Sequence, residues 1–565
     1  MAAYLSLNPS PAVRVGATNK QLGWGGLSAR LGFWDSLGIR WLINPDALNP
    51  DALNPNALNS NALNSNALKP TLTRSYPIFS DNRLFNGSIR FYSSYLSCYA
   101  VLFYAPLIYA TRSPDVTTNR GAVMQQKPTD LSMDAYWMPF TANRDFKKSP
   151  RLIASAQGHH YFANDGRKLY DGFSGLWTSG VGHCHPKIVA AVQHQVAEMD
   201  FCMGFQLGHN SAFELANQLT QLAPEGLDHC FFTNSGSESV DTALKIALGY
   251  HRVRGDAERV RLIGRQRGYH GVNFGGISVG GIGANRKMFG ANLINAVDHL
   301  SHTHNLQYAA FSHGQPTWGA HLAEELEALV SLHDASTIAA VIVEPVAGST
   351  GILPPPMGYL ERLREICTRH GILLIFDEVI TGFGRIGAPF AAQRFGVRPD
   401  IITAAKGLTN GVVPMGAVLV SDDIQRAFMQ GPEQAVELFH GYTYSGHPLA
   451  AAAALATLEV YREEDSFAQA LALETLFAEE LHRFDHHPMI IDVRNFGLMG
   501  ALELAPREGV PGARGLEVHK RCFWEENLVL RNSMDIIQFS PFLNSRPTDI
   551  RSMFAAVRRV IDALT

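Results

Sequence analysis

Lys406 is the residue whose setting in the sequence most directly suggests covalent chemistry. It stands between a short apolar run, residues 401–405, and Gly407. A lysine in a largely desolvated pocket has a lowered pKa and can form a Schiff base with a carbonyl compound. Because most lysines are solvated surface residues, the reactive interpretation depends on the groups that accompany Lys406.

Asp377 is the first such group, since it directly follows the apolar run 372–376. An acid at the end of a buried strand needs a cationic partner, because an unpaired buried carboxylate is unfavourable. A protonated pyridine nitrogen of a bound cofactor would supply the cation, and the carboxylate would keep that nitrogen protonated, which makes the ring an electron sink. The alternative is a structural ion pair, for instance with Arg385.

An anion site is the second accompanying feature. Residues 230–233 are apolar or small and predict a strand, and the turn Asn234-Ser235-Gly236-Ser237-Glu238 leads into a helical pattern of apolar positions. Small residues at a helix N-terminus present backbone N–H groups and the positive end of the helix dipole to a phosphate. The alternative is a plain serine N-cap.

Tyr269 is a third candidate, because it lies in the glycine-flanked stretch Gly268-Tyr269-His270-Gly271. This setting places an aromatic side chain where a flat ring could stack on it. A packed core tyrosine is the alternative. Together with the lysine, the acid and the anion site, the tyrosine favours a flat, charged cofactor.

The elements around these residues predict how they are positioned. Residues 338–343 form an apolar, β-branched run, a helix-spaced set of apolar side chains follows and ends at Gly371, and a second apolar run begins at residue 372. A strand–helix–strand unit of this kind is typical of a parallel sheet covered by helices. Ligands bind beyond the carboxyl ends of such strands, where Glu344, Asp377 and Lys406 stand.

Composition excludes several other classes of protein. The net charge of -4 gives no basic footprint for nucleic acid. Six cysteines without paired spacing argue against a disulfide framework and indicate a reducing compartment, so we predict a cytoplasmic protein. The run His183-Cys184-His185 has no second ligand pair at a usual spacing, and no metal site is predicted there.

The first part of the chain differs from the rest. Residues 46–70 are five copies of a pentapeptide with one leucine each, which predicts a disordered extension. A translated repeat upstream of the true start codon is the alternative. The apolar run 95–110 is shorter than the roughly 20 residues of a membrane span and contains Pro106. No membrane span is therefore predicted.

Several motifs resemble the class III aminotransferases, a pyridoxal-phosphate (PLP) family of the aspartate-aminotransferase-like fold. They are FFTNSGSE (231–238), GYHG (268–271), VEPVAGSTG (343–351), FDEVITGFGR (376–385), AAKGLTNGVVPMGAV (404–418) and HGYTYSGHP (440–448). Other stretches are similar to the ω-amino-acid–pyruvate group of that family, which includes β-alanine–pyruvate aminotransferase. These are WMPFTANRDF (137–146), GLWTSGVGH (175–183), GYHGVN (268–273) and RNFGLMGA (494–501).

The resemblance implies a fold and a domain division. The fold is α/β, with a large domain around a mainly parallel central sheet and a small α/β domain. The implied divisions are an extension over 1–125, an N-terminal part of the small domain over 126–180, the large PLP-binding domain over 181–450, and the C-terminal small domain over 451–565. The resemblance covers the chain from about Tyr136 onward.

The resemblance also implies a role for each matching residue. Lys406 would hold the cofactor as a Schiff base, Asp377 would pair with the pyridine nitrogen, and Glu344 would lie near the phenolic oxygen. The remaining cofactor contacts would come from Ser235, Gly236 and Ser237 at the phosphate, Tyr269 and Val379 on the two ring faces, and Thr443 at the phosphate of a neighbouring subunit. Arg531 would bind the substrate carboxylate, and Trp177 would line the amino-donor pocket. Asn234 departs from the pattern, because the group usually has an aspartate there.

The implied activity is transfer of an amino group from an ω-amino acid such as β-alanine, or from an amine, to pyruvate. The enzyme would be a homodimer or homotetramer with active sites at the dimer interface, and would bind neither nucleic acid nor membrane. A 4-aminobutyrate or taurine aminotransferase, or an aminomutase, is the alternative within the family. A PLP-binding regulator or anchored scaffold is the alternative of another class, and would require a DNA-binding helix pair or a membrane span in 1–125.

Overall fold

The computed structural model describes residues 132–564. The predicted extension with its pentapeptide repeats and its apolar run lies outside the described residues. All the predicted site residues lie within them. The part of the chain that carries the candidate chemistry is therefore described throughout.

Fifteen strands form three sheets within residues 132–564. In chain order they are β1 Ile153–Gln157, β2 His160–Ala163, β3 Lys168–Asp171, β4 His229–Thr233, β5 Arg261–Arg265, β6 Val297–Leu300, β7 Ile338–Val343, β8 Leu373–Asp377, β9 Ile401–Ala404, β10 Gly416–Val420, β11 Ile490–Phe496, β12 Met499–Leu504, β13 Leu528–Val529, β14 Arg531–Ser533 and β15 Ile536–Phe539.

The largest sheet has seven strands in the order β4-β10-β9-β8-β7-β5-β6. Strand β10 is antiparallel to both of its neighbours, β4 and β9, and the other neighbouring pairs are parallel. Every residue of β7, β8 and β9 is buried. The predicted parallel sheet with both faces covered is therefore observed, with one reversed strand inserted between β4 and β9.

Helices cover the sheets of the fold and connect their strands. The longer ones are Pro186–Glu198, Asn210–Leu222, Gly236–Val253, Glu325–His333, Tyr359–His370, Pro448–Glu463, Ser466–His482, Ala513–Glu525 and Pro547–Asp562, and the shorter ones are Asn143–Lys148, Phe274–Val279, Gly283–Phe289, Ala391–Phe395 and Asp422–Phe428. The helix Tyr359–His370 buries the apolar side chains that its spacing predicts. It ends at Gly371, whose φ of 63° is in the left-handed region that favours glycine at a helix C-terminus.

Two four-stranded sheets complete the fold. One has the order β1-β2-β3-β13 and the other β11-β12-β15-β14. The parallel pairing of β3 with β13 joins the N-terminal segment to the C-terminal segment. The domain divisions at residues 125, 180 and 450 stay a prediction.

No helix within residues 132–564 combines the length and the apolar character needed to cross a bilayer.

Candidate active site

The predicted site residues meet at the carboxyl edge of the central sheet. Asp377 is the last residue of β8, Glu344 directly follows β7, and Lys406 follows β9 after one intervening alanine. A cavity of about 730 Å³ opens at this edge. Of the eleven predicted site residues ten line it, namely Trp177, Ser235, Gly236, Ser237, Tyr269, Glu344, Asp377, Val379, Lys406 and Arg531.

Lys406 occupies a desolvated turn at the base of this cavity. Its φ of 47° is left-handed, a conformation that a lysine holds only when its surroundings fix it. Burial lowers its pKa to about 8, although the nearby carboxylates of Asp377 and Glu344 act in the opposite direction. A far larger share of Lys406 than of an ordinary lysine is therefore a neutral amine near neutral pH, the form that attacks a carbonyl carbon.

Asp377 is held by three hydrogen-bond donors. Its Oδ2 lies 2.8 Å from Nδ1 of His270, and its Oδ1 accepts from the hydroxyl of Thr403 at 3.0 Å and the N–H of Val379 at 3.2 Å. The alternative ion pair with Arg385 is not formed, because Arg385 donates to the carbonyl of Pro541 instead. Sequence reasoning missed His270, although it stands in the GYHG stretch that drew attention to the tyrosine.

Glu344 supports the loop that carries Tyr269. One of its carboxylate oxygens accepts from the N–H of Tyr269 at 2.9 Å, and the other accepts from the N–H of Gly348 at 3.0 Å. Burial raises the pKa of Glu344, and the neighbouring Asp377 adds to that rise. Both oxygens of Glu344 are thus engaged by backbone groups at the edge of the cavity.

The turn before the helix Gly236–Val253 combines an N-cap with a free anion-binding end. The hydroxyl of Ser235 accepts from the N–H of Glu238 at 3.2 Å, and the carboxylate of Glu238 accepts from the N–H of Asn234 at 2.7 Å. Within residues 132–564 no acceptor contacts the N–H groups of Gly236 and Ser237. The N-cap and the phosphate interpretation are therefore compatible.

Gly236 allows this helix end to approach the cavity wall closely. A Cβ atom added to Gly236 would lie 2.9 Å from Cγ1 of Val379. Any larger residue would have to displace Val379 or the first turn of the helix. The helix N-terminus can therefore lie this close to Val379 only because Gly236 has no side chain.

Lys406 and Arg531 both lie close to the ring of Trp177. The ammonium of Lys406 lies 5.4 Å from the centre of the indole ring, and the guanidinium carbon of Arg531 lies 4.9 Å from it. Arg531 also donates to Oε1 of Gln538 at 2.7 Å and to the carbonyl of Ser349 at 3.3 Å. Gln538 and Ser349 were not predicted, because the pairing of β14 with β15 that brings Gln538 to Arg531 has no signature in the sequence.

Two of the sequence features lie away from the cavity. Thr443 is exposed and does not line it. His183 and His185 of the His-Cys-His run each contact a carboxylate, at 2.8 Å from Asp171 and 3.1 Å from Glu464. These two histidines therefore face different partners.

A second cavity, of about 610 Å³, lies at the opposite edge of the central sheet. It is lined by four arginines and four carboxylates, namely Arg254, Arg259, Arg364, Arg398, Asp256, Glu361, Glu365 and Asp400. These charges balance, and the lining contains no lysine. The cavity at the carboxyl edge, with its buried lysine, acid and helix N-terminus, is the one suited to chemistry.

The residues of that cavity fit a flat, anionic cofactor that carries an aldehyde. Lys406 offers an amine of lowered pKa, the free N–H groups of Gly236 and Ser237 suit a phosphate, and the aromatic ring of Tyr269 and the methyls of Val379 offer apolar surfaces. The carboxylate of Asp377 suits a protonated ring nitrogen. The fold and the site thus define an enzyme of the PLP-dependent class.

The chain belongs to the class-III aminotransferases. The family described as Aminotransferase class-III matches residues 141–561. The predicted resemblance, enzyme class and cofactor are confirmed, because PLP is the cofactor of this family. The family match favours an aminotransferase over the alternative of a PLP-binding regulator or scaffold.

Two curated relatives match nearly their whole length. The chain is 58% identical over 429 residues to an omega-aminotransferase of Caulobacter vibrioides, a match that covers 76% of this chain and 97% of the relative. It is 49% identical over 440 residues to the beta-alanine–pyruvate aminotransferase of Pseudomonas aeruginosa, covering 77% and 97%.

A solved structure confirms the predicted fold class. It is an amine transaminase from an uncultivated Pseudomonas species in its PLP-bound form, which superposes with a TM-score of 0.71 at 33% sequence identity. The superposition covers 76% of this chain and 99% of that structure. The described part of the chain therefore corresponds to a complete aminotransferase fold.

Proposed function

We propose that this aminotransferase transfers the amino group of an ω-amino acid such as β-alanine, or of an amine, to pyruvate. The products are a semialdehyde or ketone and alanine. The observation that carries the proposal is the guanidinium of Arg531, which lines the same cavity as Lys406 and also lies close to the ring of Trp177. The names of the two curated relatives support the same donor and acceptor classes.

The cofactor would be held by the residues at the carboxyl edge of the sheet. Lys406 would bind its aldehyde carbon, Asp377 its ring nitrogen, Ser235, Gly236 and Ser237 its phosphate, and Tyr269 and Val379 its two faces. When bound, PLP supplies an electron sink for the carbanion that forms as the donor loses a proton. Glu344 would keep the Tyr269 loop in place through its two backbone contacts.

Lys406 is the proton carrier in this proposal. As a free, neutral amine, its Nζ would take the proton from the donor carbon. Burial keeps a fraction of that amine neutral near neutral pH. Asp377, fixed by His270 and Thr403, would keep the ring nitrogen of the cofactor protonated.

Arg531 would bind the substrate carboxylate. Its hydrogen-bond acceptors within the described residues are a glutamine amide oxygen and a backbone carbonyl, both uncharged, so its positive charge remains available to a ligand. A guanidinium can bind a carboxylate through two parallel hydrogen bonds. Trp177 would form the wall along which the donor chain lies.

We further propose that two copies of the chain associate over the surface around Thr443. Aromatic side chains there are exposed, with Phe439 at 93%. Phe205 packs against Gly441, and the rings of Phe201 and Tyr444 are 5.9 Å apart. An exposed aromatic surface of this kind is typical of an interface, and a second copy would bring Thr443 to the partner's phosphate site.

The association can be tested by light scattering coupled to gel filtration. The wild-type chain should be a dimer or tetramer. Phe439→Glu should shift it towards the monomer and weaken cofactor retention, because a charge would be buried in the interface. A fully active wild-type monomer would contradict the proposal.

A 4-aminobutyrate or taurine aminotransferase remains the alternative reaction. A panel of β-alanine, 4-aminobutyrate, taurine and simple amines, each assayed with pyruvate and with 2-oxoglutarate, separates the two. We expect alanine from pyruvate with β-alanine or amines. Glutamate from 2-oxoglutarate with little alanine would contradict the proposal. A cytoplasmic location is also proposed, supported by the five unpaired cysteines of the described region.

A further inference from the structure

Asp171 is a fully buried carboxylate beneath the active-site wall. It ends β3, and both of its oxygens accept hydrogen bonds. Oδ1 accepts from the N–H of Phe173 at 2.9 Å, and Oδ2 accepts from the N–H of Gly175 at 2.5 Å. The ring nitrogen Nε2 of His183 lies 2.8 Å from Oδ2. The carboxylate therefore ties two backbone N–H groups of one turn to a histidine on the following segment.

The turn that Asp171 holds has an unusual backbone. Ser174, Gly175 and Trp177 have φ values of 44°, 68° and 59°. Two of these three residues carry side chains, and such residues adopt the left-handed region only when their surroundings impose it. The turn is also tight, because a Cβ atom on Gly175 would lie 2.6 Å from the hydroxyl of Thr178.

The backbone of this turn determines where the side chain of Trp177 lies. Trp177 is 3% exposed, and both the ammonium of Lys406 and the guanidinium of Arg531 lie close to its indole ring. Within residues 132–564 no partner contacts its buried Nε1. No hydrogen bond of the ring itself therefore fixes it. Its position depends on the backbone of the turn and on packing within a buried apolar cluster that includes Phe173, whose ring centre lies 4.4 Å away.

We propose that Asp171, oriented by His183, is a positioning residue that sets Trp177 beside Lys406 and Arg531. Through Trp177 it shapes the part of the cavity next to the reacting amine and the group that binds the carboxylate. The consequence for substrates rests on the proposed function, because it assumes that Arg531 binds a carboxylate. The link between Asp171 and Trp177 stands on the geometry alone.

Asp171 is required as a carboxylate, because both of its oxygens have to accept hydrogen bonds. Both carboxylate oxygens face N–H donors, so the amide of asparagine would turn its own N–H₂ towards one of them. At least one backbone N–H of the turn would then lose its acceptor in a buried place. Asp171→Asn should therefore loosen the turn while it leaves the volume of the side chain unchanged.

The test compares two readouts in the holoenzyme. In Asp171→Asn we expect acrylamide to quench the Trp177 fluorescence more strongly, with the Trp177 signal isolated by subtracting a Trp177→Phe variant in the same background. We also expect kcat/KM for β-alanine to fall by about tenfold or more, the scale that small misplacements reach. Most of that loss should lie in KM, and an amine donor without a carboxylate should be affected less.

Asp400→Asn is the matched control. Asp400 also accepts a backbone N–H, that of Leu374, and pairs with Arg364, but it lies at the opposite edge of the sheet. The Asp400→Asn variant should have a lower melting temperature, but the same Trp177 quenching and the same preference between donors as the wild type. If Asp171→Asn does not fold, His183→Leu takes its place, because it removes one partner of the same carboxylate and should change both readouts in the same direction.

Unchanged Trp177 quenching in folded Asp171→Asn would overturn the proposal. An equal loss of kcat/KM for β-alanine and for the amine without a carboxylate would also overturn it. If the wild-type enzyme does not accept β-alanine at all, the proposed function fails. The quenching comparison then still decides whether Asp171 positions Trp177.

Discussion

Nδ1 of His270 lies 2.8 Å from Oδ2 of Asp377, and both side chains are buried. His270 directly follows Tyr269, whose N–H is held by Glu344. The buried carboxylates of Asp377, at the end of β8, and Glu344, after β7, thereby both hold the loop that carries Tyr269 and His270. Asp377 and the ring of Tyr269 therefore cannot move independently of each other.

Asp377→Asn should abolish most of the activity while cofactor is still retained. The amide keeps the shape of the side chain but lacks the charge that holds the ring nitrogen protonated. We expect turnover to fall by about a hundredfold or more, the scale of losing one preorganised electrostatic group. The measurement is kcat together with the absorbance of the bound cofactor.

Thr403→Val is the matched control for this variant. It removes one hydrogen bond to Asp377 and preserves the carboxylate and the side-chain volume. We expect a clearly smaller loss than in Asp377→Asn, because the charge remains and only one hydrogen bond to a carboxylate is removed, which contributes about 1.5–3 kcal/mol. Near wild-type activity of Asp377→Asn would mean that the acid serves only the structure.

Arg531→Ala should discriminate between donors. The donor half-reaction, followed without pyruvate, should weaken strongly for β-alanine and much less for an amine that has no carboxylate. The KM for pyruvate should rise as well. Arg531→Lys should lie between the two, since it keeps the charge but loses the bidentate geometry. Equal losses for both donor types would show that Arg531 does not bind the substrate.

Lys406→Met should stabilise the cofactor-free protein in a pH-dependent way. Burial lowers the pKa of Lys406 from 10.5 to about 8, so folding disfavours the protonated form. This penalty is fully present below pH 8, declines between pH 8 and 10.5, and is absent above. The pKa difference corresponds to on the order of 3 kcal/mol.

Denaturant unfolding of the apoprotein at about pH 7 and at about pH 10.5 measures the effect. The methionine variant should be the more stable at neutral pH, and its advantage should shrink at the higher pH. Equal stability of the two proteins at neutral pH would show that Lys406 is not held in a desolvated place.

Sequence patterns located the strand ends because buried parallel strands are nearly continuous apolar runs, as in β7 and β8. They therefore found Asp377 and Lys406. They could not find Gln538 or Asp171, since each reaches the site through a pairing or a turn with no local signature. His270 could have been predicted from the sequence. It directly follows Tyr269, and a histidine buried there would need a hydrogen-bond partner.

A chain that begins at Met124 should fold, bind cofactor and transaminate as well as the full chain. The family match begins at residue 141, and all the predicted site residues follow it. The pentapeptide segment offers little apolar surface to bury, so its removal should have a small effect on stability. The comparison is of melting temperature, cofactor content and kcat. An insoluble or inactive shortened chain would contradict this prediction.

The role of Lys406 as the lysine that carries the cofactor can be tested directly by borohydride reduction. Reduction of the purified enzyme should bleach its cofactor absorbance and fix the cofactor to one lysine, and peptide mass spectrometry then identifies that lysine. We expect a single modified peptide that contains Lys406, and no modification in Lys406→Ala. A cofactor fixed to any other lysine, or an unmodified Lys406 in an active enzyme, would contradict this assignment.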